Sequence, residues 1–216
     1  MSGLHFDWMR RGDPDGAPLL HVETLRVRVG VRRIIDQLDF VVHTGDHVRI
    51  TGPNGCGKST LLNAIAGVEP ARIEEGRIVF AGEDITYRPA HERAQLGISY
   101  MRQTDNVFVN LTVAENLEVA LGLGGSRRFA EVFPEWAENL NPKKRAGQLS
   151  GGEKKKLAWA MSALGGKKLF LADEPTAGVA QQFRVPECID SYVVITHEEP
   201  TLPTHQGEME CEPTWK

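Results

Sequence analysis

The amino-acid sequence predicts an α/β fold with a helical subdomain inserted into it. A glycine-rich loop at residues 52–60 lies between a short apolar strand pattern and a helical pattern, which is the order of a strand–loop–helix unit. Two more apolar segments, residues 168–173 and 192–196, are typical of short strands. Between about residues 104 and 160 the pattern turns helical, with breaks at Gly124-Gly125 and Asn141-Pro142. Helices framed by strands on both sides indicate an insertion into an α/β core.

The predicted elements follow in a simple order. Residues 1–20 are polar and rich in turn residues, so we predict a loose N-terminal extension, followed by one folded domain over residues 21–216. Further strands are predicted at residues 22–29, 38–42, 47–51, 76–80 and 98–101. Helices are predicted at residues 59–66, 113–121, 130–140 and 150–164, the last capped by the Ser150 hydroxyl.

Composition and charge argue against several classes of protein. The net charge of −4 disfavours a nucleic-acid-binding protein that relies on an overall positive field, so we expect no nucleic-acid partner. No uncharged apolar stretch approaches the roughly 18 residues of a membrane span, and the charged N-terminal residues lack the apolar core of a signal peptide. The three cysteines lack metal-binding or redox spacing, which favours a reducing cytosol.

The loop after the 47–51 strand carries the pattern G-x-x-x-x-G-K-S of a phosphate-binding loop. Its glycines let backbone N–H groups turn toward a polyphosphate, at the positive end of the following helix. Lys58 is expected to reach the terminal phosphates, and the Ser59 hydroxyl to take one position on Mg²⁺. The loop alone predicts a nucleoside triphosphate without choosing among families. The predicted nucleotide contacts in it are Gly52, Pro53, Asn54, Gly55, Cys56, Gly57, Lys58, Ser59 and Thr60.

Two carboxylates follow the apolar strand at residues 168–173. In phosphate-loop enzymes the first acid, here Asp173, holds Mg²⁺. Glu174 leaves the strand and points differently, so it can polarise an attacking water as a general base. Acid pairs at strand ends also occur as structural features, so this pair alone does not decide the function.

A more specific motif precedes these acids, a serine and two glycines at a predicted helix start. A hydroxyl and bare N–H groups there form a second anion-binding device. The motif consists of Leu149, Ser150, Gly151, Gly152 and Glu153.

Together these motifs resemble the nucleotide-binding subunit of an ABC transporter, over about residues 22 to 200. Residues 149–153 resemble the LSGGQ signature of that family, with Glu at the last position. Gln103 resembles the Q-loop glutamine, which ligates Mg²⁺ and senses the transmembrane partner. His197 resembles the switch histidine that contacts the γ-phosphate. The resemblance implies a phosphate-loop core of ABC ATPase type with an antiparallel β subdomain and an inserted helical subdomain.

The resemblance also implies the activity. ATP and Mg²⁺ would lie between the phosphate loop of one subunit and the signature of a second ATPase subunit, in a head-to-tail dimer. Glu174 and His197 would organise water attack, and Gln103 would complete the catalytic set. Transmembrane permease subunits are the implied partners, which places the chain in the cytoplasm on the inner face of the cell membrane. Residues 82–86, 96–98, 111–117 and 145–153 are similar to ATPases that import branched-chain amino acids or urea.

Two other functions stay open at this point. One is a soluble ABC-type ATPase in DNA repair, translation or iron–sulfur assembly, although the chain lacks the long coiled-coil insertion or tandem copy of the repair and translation types. The other is a module that binds ATP without turnover, which Glu174 and His197 argue against.

The sequence departs from the family pattern at two places. An aromatic residue usually stacks on adenine about two dozen positions before the phosphate loop, and Val29 stands at that place here. We therefore predict that Val29 offers adenine an aliphatic surface, unless Phe6 or Trp8 takes over the stacking. The acid often found in the D-loop is absent, because residues 175–180 end in Ala180.

Overall fold

The computed structural model describes residues 3–9, 13, 16–104, 106–165, 168–175 and 191–195. Within these residues the chain forms two β-sheets and six α-helices. The strands are β1 His5–Met9, β2 Leu20–Val29, β3 Arg32–Val42, β4 His47–Thr51, β5 Ala71–Phe80, β6 Glu83–Asp84, β7 Ile98–Met101, β8 Leu169–Asp173 and β9 Tyr192–Ile195. The helices are α1 Lys58–Ala66, α2 Ala90–Leu96, α3 Val113–Leu121, α4 Gly125–Val132, α5 Pro134–Asn139 and α6 Gly151–Ala163.

The core sheet has the strand order β1-β4-β9-β8-β7. Strands β4, β9, β8 and β7 are parallel, and β1 is added antiparallel to β4 at one edge. The carboxyl ends of β4 and β8 therefore point to the same side of the sheet, with the end of β9 between them. The glycine-rich loop follows β4 and the two acids close β8, so the sheet topology brings the two motifs together.

The second sheet is antiparallel, with the order β3-β2-β5-β6. Its buried face and the core sheet enclose α1 in one hydrophobic core. This arrangement confirms the antiparallel β subdomain. The largest fully buried side chains of this core include Leu20, Leu25, Ile35, Ile50, Leu61, Leu62, Ile65, Ile78 and Phe80.

The helical subdomain is formed by α3, α4, α5 and one face of α6. Its core includes Leu117, Phe129 and Leu157. The other face of α6 packs on the core sheet, where the rings of Trp159 and Phe170 meet edge to face at 5.1 Å. Helix α6 thus belongs to both cores, and it ties the predicted signature at its N-terminus to β8.

The prediction of a loose extension at residues 1–20 is wrong for residues 5–9, which form β1. All five residues pair with β4, from His5 opposite Thr51 to Met9 opposite His47. Leu4 and Phe6 are buried, with 5% and 9% of their surface exposed. The physical reason is a period-two pattern, since apolar side chains on one face of a short strand have a core to pack on.

The predicted helix at residues 130–140 is also wrong in its boundaries. Two short helices, α4 and α5, occupy residues 125–139 and meet at Phe133. Phe133 has φ −125° and ψ 61°, outside the helical region. Pro134 explains the break, because a proline disfavours helical geometry in the preceding residue and starts a helix well. In the part of the chain that the structure describes, no helix is long and apolar enough to cross a membrane.

Candidate active site

The glycine-rich loop connects the carboxyl end of β4 to the N-terminus of α1. Gly52, Gly55 and Gly57 have φ angles of 142°, 80° and 108°, a region that residues with a Cβ rarely adopt. Gly57 is the N-cap of α1, and no side chain caps this helix start. The first N–H groups of the helix therefore face the mouth of the loop, where an anion would be stabilised.

Lys58 is the buried cation of this loop, with 6% of its surface exposed. Its ammonium donates hydrogen bonds to the carbonyl oxygens of Gly52, at 2.7 Å, and Pro53, at 3.1 Å. These bonds hold the side chain across the inside of the loop. The positive charge is thus already placed within a concave, glycine-lined surface, which suits a polyphosphate.

The antiparallel sheet touches the loop through the tip of the β2–β3 hairpin. A Cβ added to Gly57 would lie 3.0 Å from Cγ2 of Ile34. Val29 lies directly opposite Arg32, which is two residues from Ile34 on β3. Val29 thus lies in the hairpin that meets the loop, at the end of β2, although a register shift at Ile34 interrupts the alternation of faces between the two residues.

A buried arginine fixes the other end of α1. Arg93, 3% exposed, donates to the carbonyl oxygens of Ala64 and Ile65 in the last turn of α1, at 2.6 and 2.8 Å. It also donates to the carbonyl oxygens of Thr86, at 3.0 Å, and Arg88, at 2.8 Å. Burial lowers the pKa of Arg93 to about 10. The guanidinium satisfies orphan helix carbonyls and so anchors the helix that carries the loop. Sequence reasoning missed this residue.

Two of the three predicted metal ligands, Ser59 and Asp173, come together at the carboxyl end of β8. The hydroxyl of Ser59, in the first turn of α1, hydrogen bonds the carboxylate of Asp173. Asp173 is 5% exposed. Burial raises the pKa of Asp173, and the charge of Glu174 adds to this rise, while the Ser59 hydrogen bond and the charges of Lys58 and Arg102 lower it. A hydroxyl and a buried carboxylate are hard oxygen donors of the kind that Mg²⁺ prefers.

The raised pKa of Asp173 leads to a prediction about stability. Because the folded-state pKa lies above the ordinary value, the ionised carboxylate destabilises the folded protein at neutral pH. Asp173→Asn should therefore raise the melting temperature at pH 7.5 in EDTA, and lower the rate of ATP hydrolysis. Below the ordinary carboxyl pKa, Asp173 carries a proton in both the folded and the unfolded protein. The increase in melting temperature caused by Asp173→Asn should therefore vanish near pH 3.5 or below. Thermal unfolding at both pH values checks this, and a lower melting temperature at pH 7.5 would contradict it.

Glu174 leaves β8 in a left-handed conformation, with φ 46°. Its backbone N–H donates to the carbonyl oxygen of Ile195 at 2.9 Å. The side chain reaches the Q-loop position, where Nε2 of Gln103 donates to the Glu174 carboxylate at 3.2 Å. Lys155 of α6 lies near enough to interact with the charge of the same carboxylate. Burial lowers the pKa of Lys155, and the charge of Glu174 opposes part of this decrease. The geometry thus brings Gln103 and Glu174 together beside Asp173.

The signature residues open α6. The Ser150 hydroxyl accepts a hydrogen bond from the Glu153 N–H at 3.2 Å, and the Glu153 carboxylate accepts one from the Ser150 N–H at 2.6 Å. This reciprocal capping box lowers the pKa of Glu153, with a smaller contribution from the charge of Lys144. A Cβ built on Gly151 or Gly152 would meet nothing within 4 Å. Leu149 is buried while Ser150 and the glycines border open space, so the N-terminus of α6 faces outward.

Some predicted site residues lie outside the described part of the chain. These are His197 and the D-loop residues 176–180. Among the described residues, no group of three or more His, Cys, Asp or Glu side chains is arranged to hold a metal ion. A metal at Ser59 and Asp173 would therefore take further ligands from other groups, as Mg²⁺ does when it binds phosphates and water.

Comparisons with known proteins agree with this geometry. The family model described as ABC transporter matches residues 35–177. The chain is 36% identical to a probable branched-chain amino acid transport ATP-binding protein LivF from Archaeoglobus fulgidus, over 75% of this chain and 71% of the relative. It is also 36% identical to the lipopolysaccharide export system ATP-binding protein LptB from Haemophilus influenzae, over 74% of this chain and 69% of the relative.

Solved structures give the same answer for the fold. An ATP-binding cassette of an ABC transporter in its ADP conformation superimposes with a TM-score of 0.67 at 27% identity, covering 85% of this chain and 83% of that one. A nucleotide-free ATP-binding cassette superimposes with a TM-score of 0.65 at 25% identity, covering 84% and 82%. The chain therefore belongs to the ABC transporter family, as an ATP-binding subunit that hydrolyses ATP to energise transport.

Proposed function

We propose that ATP binds in the loop at residues 52–60 with its terminal phosphates on Lys58, and that Mg²⁺ is held by Ser59, Asp173 and Gln103. The hydrogen bond between Ser59 and the buried Asp173 and the position of Lys58 inside the loop support this assignment. Mg²⁺ would neutralise charge that develops on the phosphates. The residues themselves orient the nucleotide, exclude water from the buried carboxylate and hold the ends of the triphosphate in place.

We further propose that Glu174 is the general base. Its carboxylate lies at the end of β8 next to Asp173, and Gln103 holds it at 3.2 Å. In this position it would accept a proton from the attacking water, while His197 would contact the γ-phosphate. No covalent intermediate is required, because positioning and electrostatic stabilisation account for the catalysis.

The observation that carries the proposal is the convergence of the loop and the two acids at one edge of the core sheet. Lys58→Ala tests it. The variant should weaken ATP binding at least about tenfold, because it removes a charge-assisted contact to the phosphates. Titration calorimetry with ATP measures the effect. Lys143→Ala, which removes an exposed lysine in the helical subdomain, is the matched control. Equal affinities in all three proteins would contradict the proposed site.

The nucleobase is proposed to rest on Val29, at the end of β2. Phe6 is not available for stacking, since it is buried and its ring packs on Phe40 at 5.2 Å and on Trp8 at 5.4 Å. Trp8 packs against the same core. An aliphatic contact at Val29 leaves phosphate and metal contacts, which are independent of the base, to supply most of the affinity.

Val29→Tyr should therefore tighten ATP binding several-fold, since stacking on an aromatic ring contributes about 1–3 kcal/mol in nucleic-acid systems. The native protein should discriminate poorly between ATP and GTP. Competition binding with both nucleotides measures this. Val31→Tyr is the control, because Val31 is fully exposed at the turn of the same hairpin. A strong preference of the native protein for ATP would contradict the hypothesis.

The signature at Ser150 is proposed to act on the nucleotide of a second ATPase subunit. The outward-facing N-terminus of α6 supports this, because its open space fits the phosphates of a partner subunit's nucleotide. Leu149, Ser150, Gly151, Gly152 and Glu153 would form this second surface in a head-to-tail dimer. ATP would then bridge the halves, and loss of the γ-phosphate would release them.

Transmembrane permease subunits are the proposed partners, with the chain bound peripherally to the inner, cytoplasmic face of the membrane. We propose amino acids or urea-like solutes as cargo, following the likeness to the LivF protein, whose name specifies branched-chain amino acid transport. Copurification of a polytopic membrane protein, followed by leucine-stimulated ATP hydrolysis in vesicles, tests both parts. Stimulation by an unrelated cargo would refute the cargo, and the absence of a membrane partner would refute the assembly.

A further inference from the structure

The strand β1 brings the N-terminal residues of the chain next to the phosphate loop. It pairs with β4 along its whole length, and it runs antiparallel, so its first residue lies beside the last residue of β4. Gly3, two residues before the strand, therefore arrives where the loop begins. Within the described residues, β1 is the outer strand at this edge of the sheet.

The contact between β1 and the loop is direct. A Cβ added to Gly52 would collide with the carbonyl oxygen of Gly3 and lie 3.0 Å from Sγ of Cys56. A Cβ added to Gly3 would lie 3.4 Å from the ring of Pro53 and 3.9 Å from Cβ of Cys56. Gly3 thus packs against three residues of the loop, Gly52, Pro53 and Cys56.

Three contacts hold β1 in place. Leu4 and Phe6 are buried in the core. On the other face, the carboxylate of Asp7 accepts a hydrogen bond from Nε of Arg49 at 2.9 Å, and Nη2 of Arg49 lies 2.9 Å from the same carboxylate oxygen as an ion pair. The ion pair is exposed and contributes little, so the buried side chains and the backbone pairing supply most of the docking free energy.

The contact between β1 and the loop extends through Gly52 to the ammonium group of Lys58. Gly52 contacts both residues: it packs against the carbonyl oxygen of Gly3, and its own carbonyl oxygen accepts the 2.7 Å hydrogen bond of the Lys58 ammonium. A shift of Gly52 would therefore shift an anchor of Lys58. The contacts of Gly52 with Gly3 and Lys58 restrict its backbone before a nucleotide binds. Fewer conformations of the loop are then lost on binding.

We propose that β1 is a positioning element of the phosphate loop, with Gly3 as its contact residue, and that docked β1 raises the affinity for ATP. This inference rests on the proposed nucleotide site. Gly3 is not proposed to touch a reacting atom, and it acts through Gly52 and Lys58. A purely structural strand would change stability and leave nucleotide affinity unaltered.

Gly3→Leu tests the proposal in the full chain. The larger side chain would press on Pro53 and displace the loop, so the Kd for ATP should rise roughly fivefold at an unchanged melting temperature. Gly3→Ala should bind like the native protein, because its Cβ makes only van der Waals contact with Pro53. His5→Leu is the matched control, since it places the same side chain at an exposed position of the same strand, opposite Thr51, and leaves the contact between Gly3 and Pro53 unchanged. Calorimetry with ATP and thermal unfolding are the two readouts.

Deletion of residues 1–9 provides a second readout. The shortened protein should bind ATP at least roughly fivefold more weakly, and amide exchange in residues 52–57 should accelerate. If it does not fold, Gly3→Leu alone decides. An unchanged Kd for Gly3→Leu overturns the inference. If Lys58→Ala also leaves the Kd unchanged, the proposed nucleotide site is wrong; if Lys58→Ala weakens binding as expected, only the role of β1 is refuted.

Discussion

Glu174→Gln should abolish steady-state ATP hydrolysis while ATP binding is preserved. The substitution removes the base, yet it keeps the size of the side chain and leaves Lys58, Ser59 and Asp173 in place. A positioned general base contributes about 10²–10⁴-fold, so a loss of at least about a hundredfold is expected. Phosphate release measures the rate, and titration calorimetry measures binding. Because ATP stays bound without turnover, the variant should accumulate as an ATP-bound dimer in size-exclusion chromatography.

Two controls sharpen this prediction. Glu118→Gln changes an exposed glutamate of α3 by the same chemistry and should hydrolyse ATP at the native rate. Gln103→Leu removes the 3.2 Å hydrogen bond to the Glu174 carboxylate and should lower the rate less than Glu174→Gln. Near-native hydrolysis by Glu174→Gln would mean that another group activates the water.

The parts of the fold that could be predicted are those encoded by local patterns. The strand β7 and the helix α3 have the bounds that alternation and helical periodicity predicted. The start of α6 follows from Ser150 and Glu153, whose capping box is a local motif. The phosphate loop is equally local, because its glycines and Lys58 are adjacent in sequence. Patterns of this kind require no knowledge of tertiary contacts.

The missed features depend on contacts between distant parts of the chain. Arg93 binds carbonyl oxygens of α1 that lie 28 and 29 residues away, which no local pattern encodes. Asn116 is fully buried, and its side chain donates a hydrogen bond to the backbone carbonyl oxygen of Phe108 and accepts one from the Phe108 N–H. These two hydrogen bonds hold the segment after the Q-loop. The apolar residues of β1 lie close in sequence to turn residues, so their local pattern did not predict a strand. They form one because they pair with β4. Tertiary pairing overrides local composition in that segment.

The individual residues of the site were predictable from the sequence, whereas the contacts between them were not. The sequence pattern predicts Lys58, Asp173 and Glu174 individually, since each follows a recognisable motif. The left-handed conformation of Glu174 and its hydrogen bond to Gln103 depend on the close approach of β7 and β8. Ile34 reaches Gly57 only because the antiparallel sheet folds over the loop. Such contacts decide orientation, which motif spacing does not specify.

Ser150→Arg should leave ATP binding to the isolated subunit intact and lower turnover at least about a hundredfold. The long cation would fill the open space at the N-terminus of α6, where a partner's nucleotide is proposed to bind. The substitution also removes the cap hydroxyl, which costs about 0.5–2 kcal/mol. Ser150→Thr, which keeps a capping hydroxyl, and an Arg substitution of exposed Gln148 serve as controls. Full activity of Ser150→Arg at dilute concentration would contradict the shared-site dimer.

Mixing two impaired variants tests the head-to-tail arrangement more directly. In a mixed dimer of Ser150→Arg and Lys58→Ala subunits, one site combines the intact loop of the first subunit with the intact signature of the second. The other site carries both substitutions. Hydrolysis at a subsaturating ATP concentration should therefore rise on mixing, up to the activity of one intact site per dimer, although each variant alone is impaired. If each subunit formed its site from its own loop and signature, every site would keep a defect and mixing would restore nothing. Phosphate release as a function of the mixing ratio separates these two outcomes.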